Sequence, residues 1–280
     1  MVELSNLGCR PGRAGGSPGW SRPVAATGPL PLVVFPHGGP SARDDWGYDR
    51  LPQFFASQGY VVLQPTYRGS AGYGKEWEGE GGYKRWRTVV SDIDAGVAHL
   101  IEKGIADPER ICIVGWSYGG YAALISTLEK PDRYRCVVGV AGVSHPRQLI
   151  NDVWRHNFLE RQFTKSFIPS EQEDIVQGSP LLRADEMPVP ALLFHGDMDL
   201  NVNVDHSRDL EKGLRRAKKK VDYFEYKGAD HYIQRQRDRI DMLQRMGDFL
   251  ATHLAEKSSL SSSLSSSPAT GASGTRQRPD

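Results

Sequence analysis

The sequence predicts an α/β fold, a mostly parallel sheet with helices on both faces. Three observations predict it: short apolar runs without polar alternation, helix-period patterns between them, and a glycine-flanked serine where one run meets one helix. The apolar runs fall at 32–35, 60–63, 111–114, 137–140 and 191–194. Strands buried on both faces read this way, because neither side of the pleat meets water. A sixth run, 221–226, is more mixed and suits a place nearer the sheet edge.

The helices follow in order. Val89, Val90, Ile93, Val97, Leu100 and Ile101 share one face, with Gly104 as the stop and Pro108 as a turn before the next strand. Ala122, Leu124, Ile125 and Leu128 predict a helix ended by Pro131, and Leu210 and Leu214 another. Ile240, Leu243, Gly247, Leu250 and Leu254 predict a C-terminal helix. Residues 145–185, with Trp154, Phe158, Phe163 and Phe167, break the rhythm. They read as a helical excursion near the pocket, either a structural insertion or part of a substrate-pocket wall.

The folded catalytic domain is expected over 30–256. Residues 1–29 carry many Gly, Pro and Arg, show no periodicity, and are expected to be irregular or disordered. Residues 257–280 are expected to form a disordered Ser-rich tail, because such a composition buries too little apolar surface to offset ordering entropy.

The 280 residues are 39% hydrophobic and 25% charged, as in soluble globular proteins. A net charge of +1 gives no electrostatic reason to expect nucleic acid or an anionic membrane as partner. The basic stretch 215–220 falls at a predicted helix C-terminus, where cations favour the dipole, and reads as a solvated helix end. No run reaches the ~18 apolar residues of a membrane span, and the start lacks a signal peptide's apolar stretch. The expected location is therefore cytoplasmic. Cys9, Cys112 and Cys136 show no metal-binding spacing. Cys112 and Cys136 sit in apolar runs and are expected to be buried thiols, with no disulfide framework and a reducing compartment.

Residues 111–120 contain G-x-S-x-G between a buried strand and a helix pattern. A tight strand-to-helix turn there raises the Ser117 hydroxyl above the sheet, and the helix N–H groups favour negative charge beside it. This identifies the α/β-hydrolase fold and Ser117 as nucleophile. Ser17 sits in the same pattern, but no strand precedes it and Pro18 removes a donor an oxyanion would need.

A serine hydroxyl needs a base, and the chain order in this fold is Ser, then Asp or Glu, then His. His231 follows the last strand-like run in a Gly-containing loop before the C-terminal helix. His145 and His156 come too early, His206 starts a helix, and His253 is near the tail; His195 stands where it can support the acid loop. In that loop Asp199 is the preferred acid and Asp197 the runner-up, while Asp230 adjoins His231 too closely to orient its ring. His37-Gly38-Gly39-Pro40 closes the first buried strand. It is expected to supply one oxyanion donor, the Gly39 N–H, with Gly38 shaping the loop and Tyr118 N–H as the second donor.

Residues 37–40, 67–74 and 115–121 together resemble the prolyl oligopeptidase family of serine peptidases, with the acylaminoacyl-peptidase-like and dipeptidyl-peptidase-like branch nearest. Residues 195–202 resemble its acid loop, with Asp199 at the catalytic position, and 229–231 its histidine loop. The resemblance covers about 30–256. It implies hydrolysis of short peptides or acyl-peptides through an acyl-enzyme, with no metal or organic cofactor, and a loop-organising role for Arg68 and Tyr73. Such enzymes usually carry an N-terminal β-propeller; only about 30 residues precede the first apolar run here. Two alternatives stand beside the peptidase: a carboxylesterase or thioesterase using the same triad, and an inactive truncated α/β-hydrolase domain.

Overall fold

The computed structural model describes residues 2–6, 19–23, 28–45, 47–79, 81–153 and 167–256. Among them are strands β1 (Val2–Asn6), β2 (Gly19–Pro23), β3 (Leu30–Val34), β4 (Val61–Gln64), β5 (Ala106–Trp116), β6 (Cys136–Val140), β7 (Ala191–Gly196) and β8 (Val221–Tyr226). The helices are α1 (Arg50–Ser57), α2 (Lys75–Gly79), α3 (Trp86–Glu102), α4 (Tyr118–Glu129), α5 (Pro146–Val153), α6 (Gln172–Gln177), α7 (Asp205–Arg216) and α8 (Gln236–Leu254).

The strands form one sheet in the order β1-β2-β4-β3-β5-β6-β7-β8. Strands β3 to β8 pair in parallel, and β1 and β2 are antiparallel additions at one edge. The apolar runs fill both faces by simple alternation. Leu32, Val34, Ile111, Ile113 and Leu193 point into a core shared with α3, α4 and α7. Val33, Cys112, Val114, Leu192 and Phe194 point into a second core closed by α1 and α8. Burying each such Val, Leu or Ile stabilises the fold by roughly 2 kcal/mol. The mixed run forms β8, the other edge, as expected.

The chain order changes direction between β3 and β5. From β3 it steps outward to β4, then returns across β3 to β5 and continues the other way. Loops leaving β3 and β5 therefore diverge and open a crevice at the carboxyl ends of the strands, where open α/β sheets bind ligands.

Four expectations need correction. Residues 1–29 include two strands, β1 and β2. A five-residue strand such as β2, held by pairing Trp20 with Leu63, has too little periodicity to detect from sequence. Pro108 lies inside β5, in the interval between the Leu30–Ala106 and Leu32–Ile111 pairs where the register shifts. No ladder donor is required of it there. Helix α8 buries Met242, Met246, Leu250 and Leu254, while Ile240 is 47% exposed. Its core face follows an i+4 row of Met and Leu, and Ile240 and Leu243 lie off it.

The fourth concerns the cysteines. Cys112 and Cys136 are fully buried, but they are joined as a disulfide. The β5–β6 register sets them side by side with Cα atoms 4.9 Å apart, inside the bridging range. The cysteine argument for a reducing compartment falls with this correction. Cys9, Trp154, Phe158, Phe163 and the 257–280 tail lie outside the described residues. No described helix is long and apolar enough to cross a membrane. The bridge spans 24 residues of chain. Loop-closure entropy then predicts that adding reductant to urea-unfolding titrations lowers stability by about 3 kcal/mol; unchanged midpoints would show that the link contributes nothing.

Candidate active site

The turn from β5 into α4 is built by close backbone approach. Ser117 has φ 59° and ψ −123°, a left-handed-side conformation that costs a non-glycine residue of order 1–3 kcal/mol. It is held by Ser117 N–H donating to Val140 O at 2.8 Å and by Tyr121 N–H donating to Ser117 O at 3.1 Å. A Cβ on Gly115 would overlap Gly119 O, and one on Gly119 would overlap Pro36 O. A Cβ on Gly120 would come within 2.9 Å of Gly142 Cα. The glycines of G-x-S-x-G-G are thus required by packing between β5, α4 and the loops after β3 and β6, and that packing holds the serine at the crevice.

Asp199 and His231 come together because their two loops are stitched along the backbone. Asp197 N–H donates to Tyr226 O at 3.2 Å and Met198 N–H to Ala229 O at 3.0 Å. A Cβ on Gly196 would overlap Ala229 O, so that glycine allows the approach. His231 Nδ1–H donates to Asp199 Oδ2 at 2.6 Å, which leaves Nε2 as the acceptor nitrogen. Asp199 Oδ1 accepts from Asn201 N–H at 2.8 Å and Val202 N–H at 2.9 Å. His195 Nε2 lies 3.2 Å from Asp199 Oδ2 and 2.9 Å from Val202 O, and its Nδ1 lies 2.7 Å from Ser207 Oγ. Burial alone would raise the Asp199 carboxyl, but donors from His195 and His231 outweigh it and hold the group well below the usual carboxylate range.

The rival acids are occupied elsewhere. Asp197 accepts from Gly228 N–H, and Asp230 closes its own turn by accepting from Tyr232 N–H at 3.2 Å. Among the other histidines, His145 contacts Ser179 and His206 is buried 3.2 Å from Asp152. His253 sits in the last turn of α8.

The loop after β3 lies directly over the serine. A Cβ on Gly38 would be 3.7 Å from Ser117 Cβ, and Gly38, Gly39, Ser117 and His231 line one cleft. Gly39 has φ +133°, a conformation that favours glycine. Tyr118 is the first residue of α4, where backbone N–H groups have no intrahelical partner. Its buried ring packs against Tyr67, Tyr83 and Tyr121.

Sequence reasoning missed the support beneath this loop. His37 Nδ1 lies 2.6 Å from Gly38 O, and Nε2 lies 2.7 Å from Ser70 Oγ, whose hydroxyl donates to Tyr67 O at 2.6 Å. Tyr67 O–H donates to His37 O at 2.6 Å, and its ring stacks on the imidazole at 4.3 Å. Burial lowers the His37 pKa to about 4, so the ring is neutral at pH 7. The neighbouring segment is anchored by Arg68, whose guanidinium and N–H both bond Asp92 on α3. Tyr73 packs on Trp77. Trp116 Nε1–H donates to His231 O at 2.9 Å and steadies the histidine loop.

Two clefts share Ser117, Gly39 and Asn201. The first, about 740 Å³, runs past His231 to Arg50, Leu51, Arg239 and Ile240. The second, about 540 Å³, is walled by Tyr83, Val143, Leu149, Phe167 and Ile168. Three of those residues come from 145–185, so the excursion does contribute a wall. Among the described residues no group of three His, Cys, Asp or Glu side chains is arranged to hold a metal ion.

A model of the prolyl oligopeptidase family matches residues 46–257. The chain belongs to the prolyl oligopeptidase family. Within it, dipeptidyl aminopeptidase BIII of Pseudoxanthomonas mexicana is 31% identical over 215 residues, 75% of this chain and 31% of that protein. Human dipeptidyl peptidase 8 is 31% identical over 73% of this chain and 23% of its own length. A puromycin-hydrolyzing peptidase of Mycobacterium tuberculosis superposes with a TM-score of 0.79 at 27% identity, over 91% of this chain and 39% of that one. An acylaminoacyl peptidase of Pyrococcus horikoshii, 24% identical with a TM-score of 0.81, shares the fold over 91% of this chain and 42% of that one. The chain thus spans about a third or less of the length of these curated relatives and adopts the α/β-hydrolase fold that its solved relatives share.

Two outcomes follow from the packing. Gly115→Ala is expected to destabilise the domain by more than about 3 kcal/mol in urea unfolding, because backbone must move. Gly79→Ala, with open space around its Cα, is expected to stay within about 1 kcal/mol. Equal effects would refute the close-approach account. His37, whose pKa falls from 6.5 unfolded to about 4 folded, contributes stability that is present above pH 6.5 and lost as pH falls toward 4. The stability gap between wild type and His37→Gln should therefore narrow by about 2 kcal/mol between pH 7.5 and 5. A gap independent of pH would show that His37 is not buried as the neutral ring.

Proposed function

We propose that this domain is a serine-type peptidase that hydrolyses short peptides or acyl-peptides through an acyl-enzyme on Ser117. One observation carries the reading: the 2.6 Å Asp199–His231 hydrogen bond leaves an acceptor imidazole in the same cleft as a conformationally strained serine. Ser117 Oγ attacks the carbonyl carbon as His231 Nε2 takes its proton. Asp199 stays ionised, holds the Nδ1–H tautomer and stabilises the imidazolium. The N–H groups of Gly39 and Tyr118 bind the oxyanion of the tetrahedral intermediate. The imidazolium then protonates the leaving amine, the C–N bond breaks, and water attacks the acyl-serine by the reverse proton route. The family membership supports peptidase chemistry, and the related dipeptidyl and acylaminoacyl peptidases support short substrates.

The test is hydrolysis of acyl-peptide and aminoacyl amides by the purified chain, with fluorophosphonate labelling read by mass spectrometry. Label should fall on Ser117, and Ser117→Ala should remove both label and amide hydrolysis. Asp199→Asn should retain the fold and lower kcat by about 10⁴-fold through the wrong imidazole tautomer. Amide hydrolysis that survives Ser117→Ala would reject the mechanism, and cleavage of matched esters alone would favour an esterase.

A further inference from the structure

The two clefts that share Ser117 differ in the charge of their lining, and only one contains His231. On the mechanism above, the imidazolium hands its proton to the departing amine, so the leaving fragment must lie on the His231 side. The cleft running toward α1 and α8 is then the leaving-group side, and the uncharged cleft walled by Phe167 and Ile168 is the acyl side.

The leaving-group cleft carries two guanidinium groups, Arg50 on the first turn of α1 and Arg239 on the first turn of α8. Among the described residues neither is in an ion pair, whereas Arg133, Arg183, Arg208 and Arg235 all are. One carboxylate, Asp49, also lines the cleft, but its Oδ1 caps α1 by accepting from Leu51 N–H at 3.1 Å. The same cleft is lined by apolar surface from Leu51, Ile240 and Leu243, with Ile240 47% and Tyr232 61% exposed. A guanidinium matches a carboxylate fork for fork. A volume of about 740 Å³ holds one or two residues.

We propose that this cleft is a leaving-group subsite for short peptides ending in a free carboxylate, with Arg50 and Arg239 binding that carboxylate and the apolar lining of the same cleft taking an aliphatic side chain. The inference rests on the serine-peptidase reading and adds substrate length and polarity to it. The bond cleaved stands one or two residues from the peptide's C-terminus, and the product on this side is a free amino acid or dipeptide.

The experiment compares two substrates that differ only at the end of the leaving fragment: an N-acyl-Phe-Leu peptide with a free carboxylate and the same peptide as its C-terminal amide. The carboxylate form should be favoured at least about 10-fold in kcat/KM by the wild-type chain. Arg239→Gln and Arg50→Gln together should bring the ratio close to one. Arg216→Gln, exposed at the end of α7, should keep the wild-type ratio. Equal rates on the two substrates in the wild type, with hydrolysis still lost in Ser117→Ala, would overturn the subsite and leave the triad standing. A preference that persists in the Arg50 and Arg239 variant would also overturn it. Failure of Ser117 to label or to hydrolyse either substrate would instead bring down the peptidase reading itself.

Discussion

The structure depends on one constraint: the backbone of the β5–α4 turn is packed against itself and against the loops after β3 and β6 more closely than any side chain would allow. Gly119 makes the contact with the loop after β3 at Pro36 O, Gly120 lies against Gly142 in the loop after β6, and Gly115 lies against Gly119 O within the turn itself, each with backbone where a Cβ would sit. Because β3 and β5 are adjacent only through the change of chain direction, the contact also defines where the crevice opens. The strain at Ser117 persists because the surrounding packing over-determines that conformation.

A second constraint is electrostatic. Asp199 is buried, yet four donors surround its two oxygens: two main-chain N–H groups, His231 and His195. A carboxylate satisfied this fully can stay ionised away from water, and it fixes the ring that it contacts. His195 in turn is fixed by Ser207 and Val202 O, so the order propagates from β7 and α7 into the site. The loop after β3 is fixed in a comparable way by a neutral buried imidazole. Both sides of the crevice are therefore held by hydrogen bonds made within the protein itself.

The parts of this arrangement with a local signature were legible in the sequence. The buried strands showed as apolar runs because both faces are covered, and the strand–serine–helix order marked the turn. Asp199 and His231 were found by their positions after β7 and β8. The remaining parts have no local signature. His37, Ser70 and Tyr67 meet only through the fold, and the sole hint was a histidine beside two glycines. The pairing of Cys112 with Cys136 depends on the β5–β6 register, which the apolar pattern leaves open. Strands β1 and β2 are held by main-chain pairing to a partner elsewhere in the chain, so their own side chains gave no period. The core row of α8 begins with Met242 and Met246, whose unbranched side chains mark a helix face less sharply in sequence than the off-row Ile240 and Leu243.

The two faces of α8 set how the molecule can change. Helix α8 carries two surfaces with separate duties: Met246, Leu250 and Leu254 are embedded against the sheet, while Arg239, Ile240 and Leu243 border open space. Substitutions on the outward row can reshape that border without disturbing the inward row, apart from Met242, which belongs to both. A single secondary-structure element therefore gives evolution, or an engineer, an adjustable surface mounted on an immovable one.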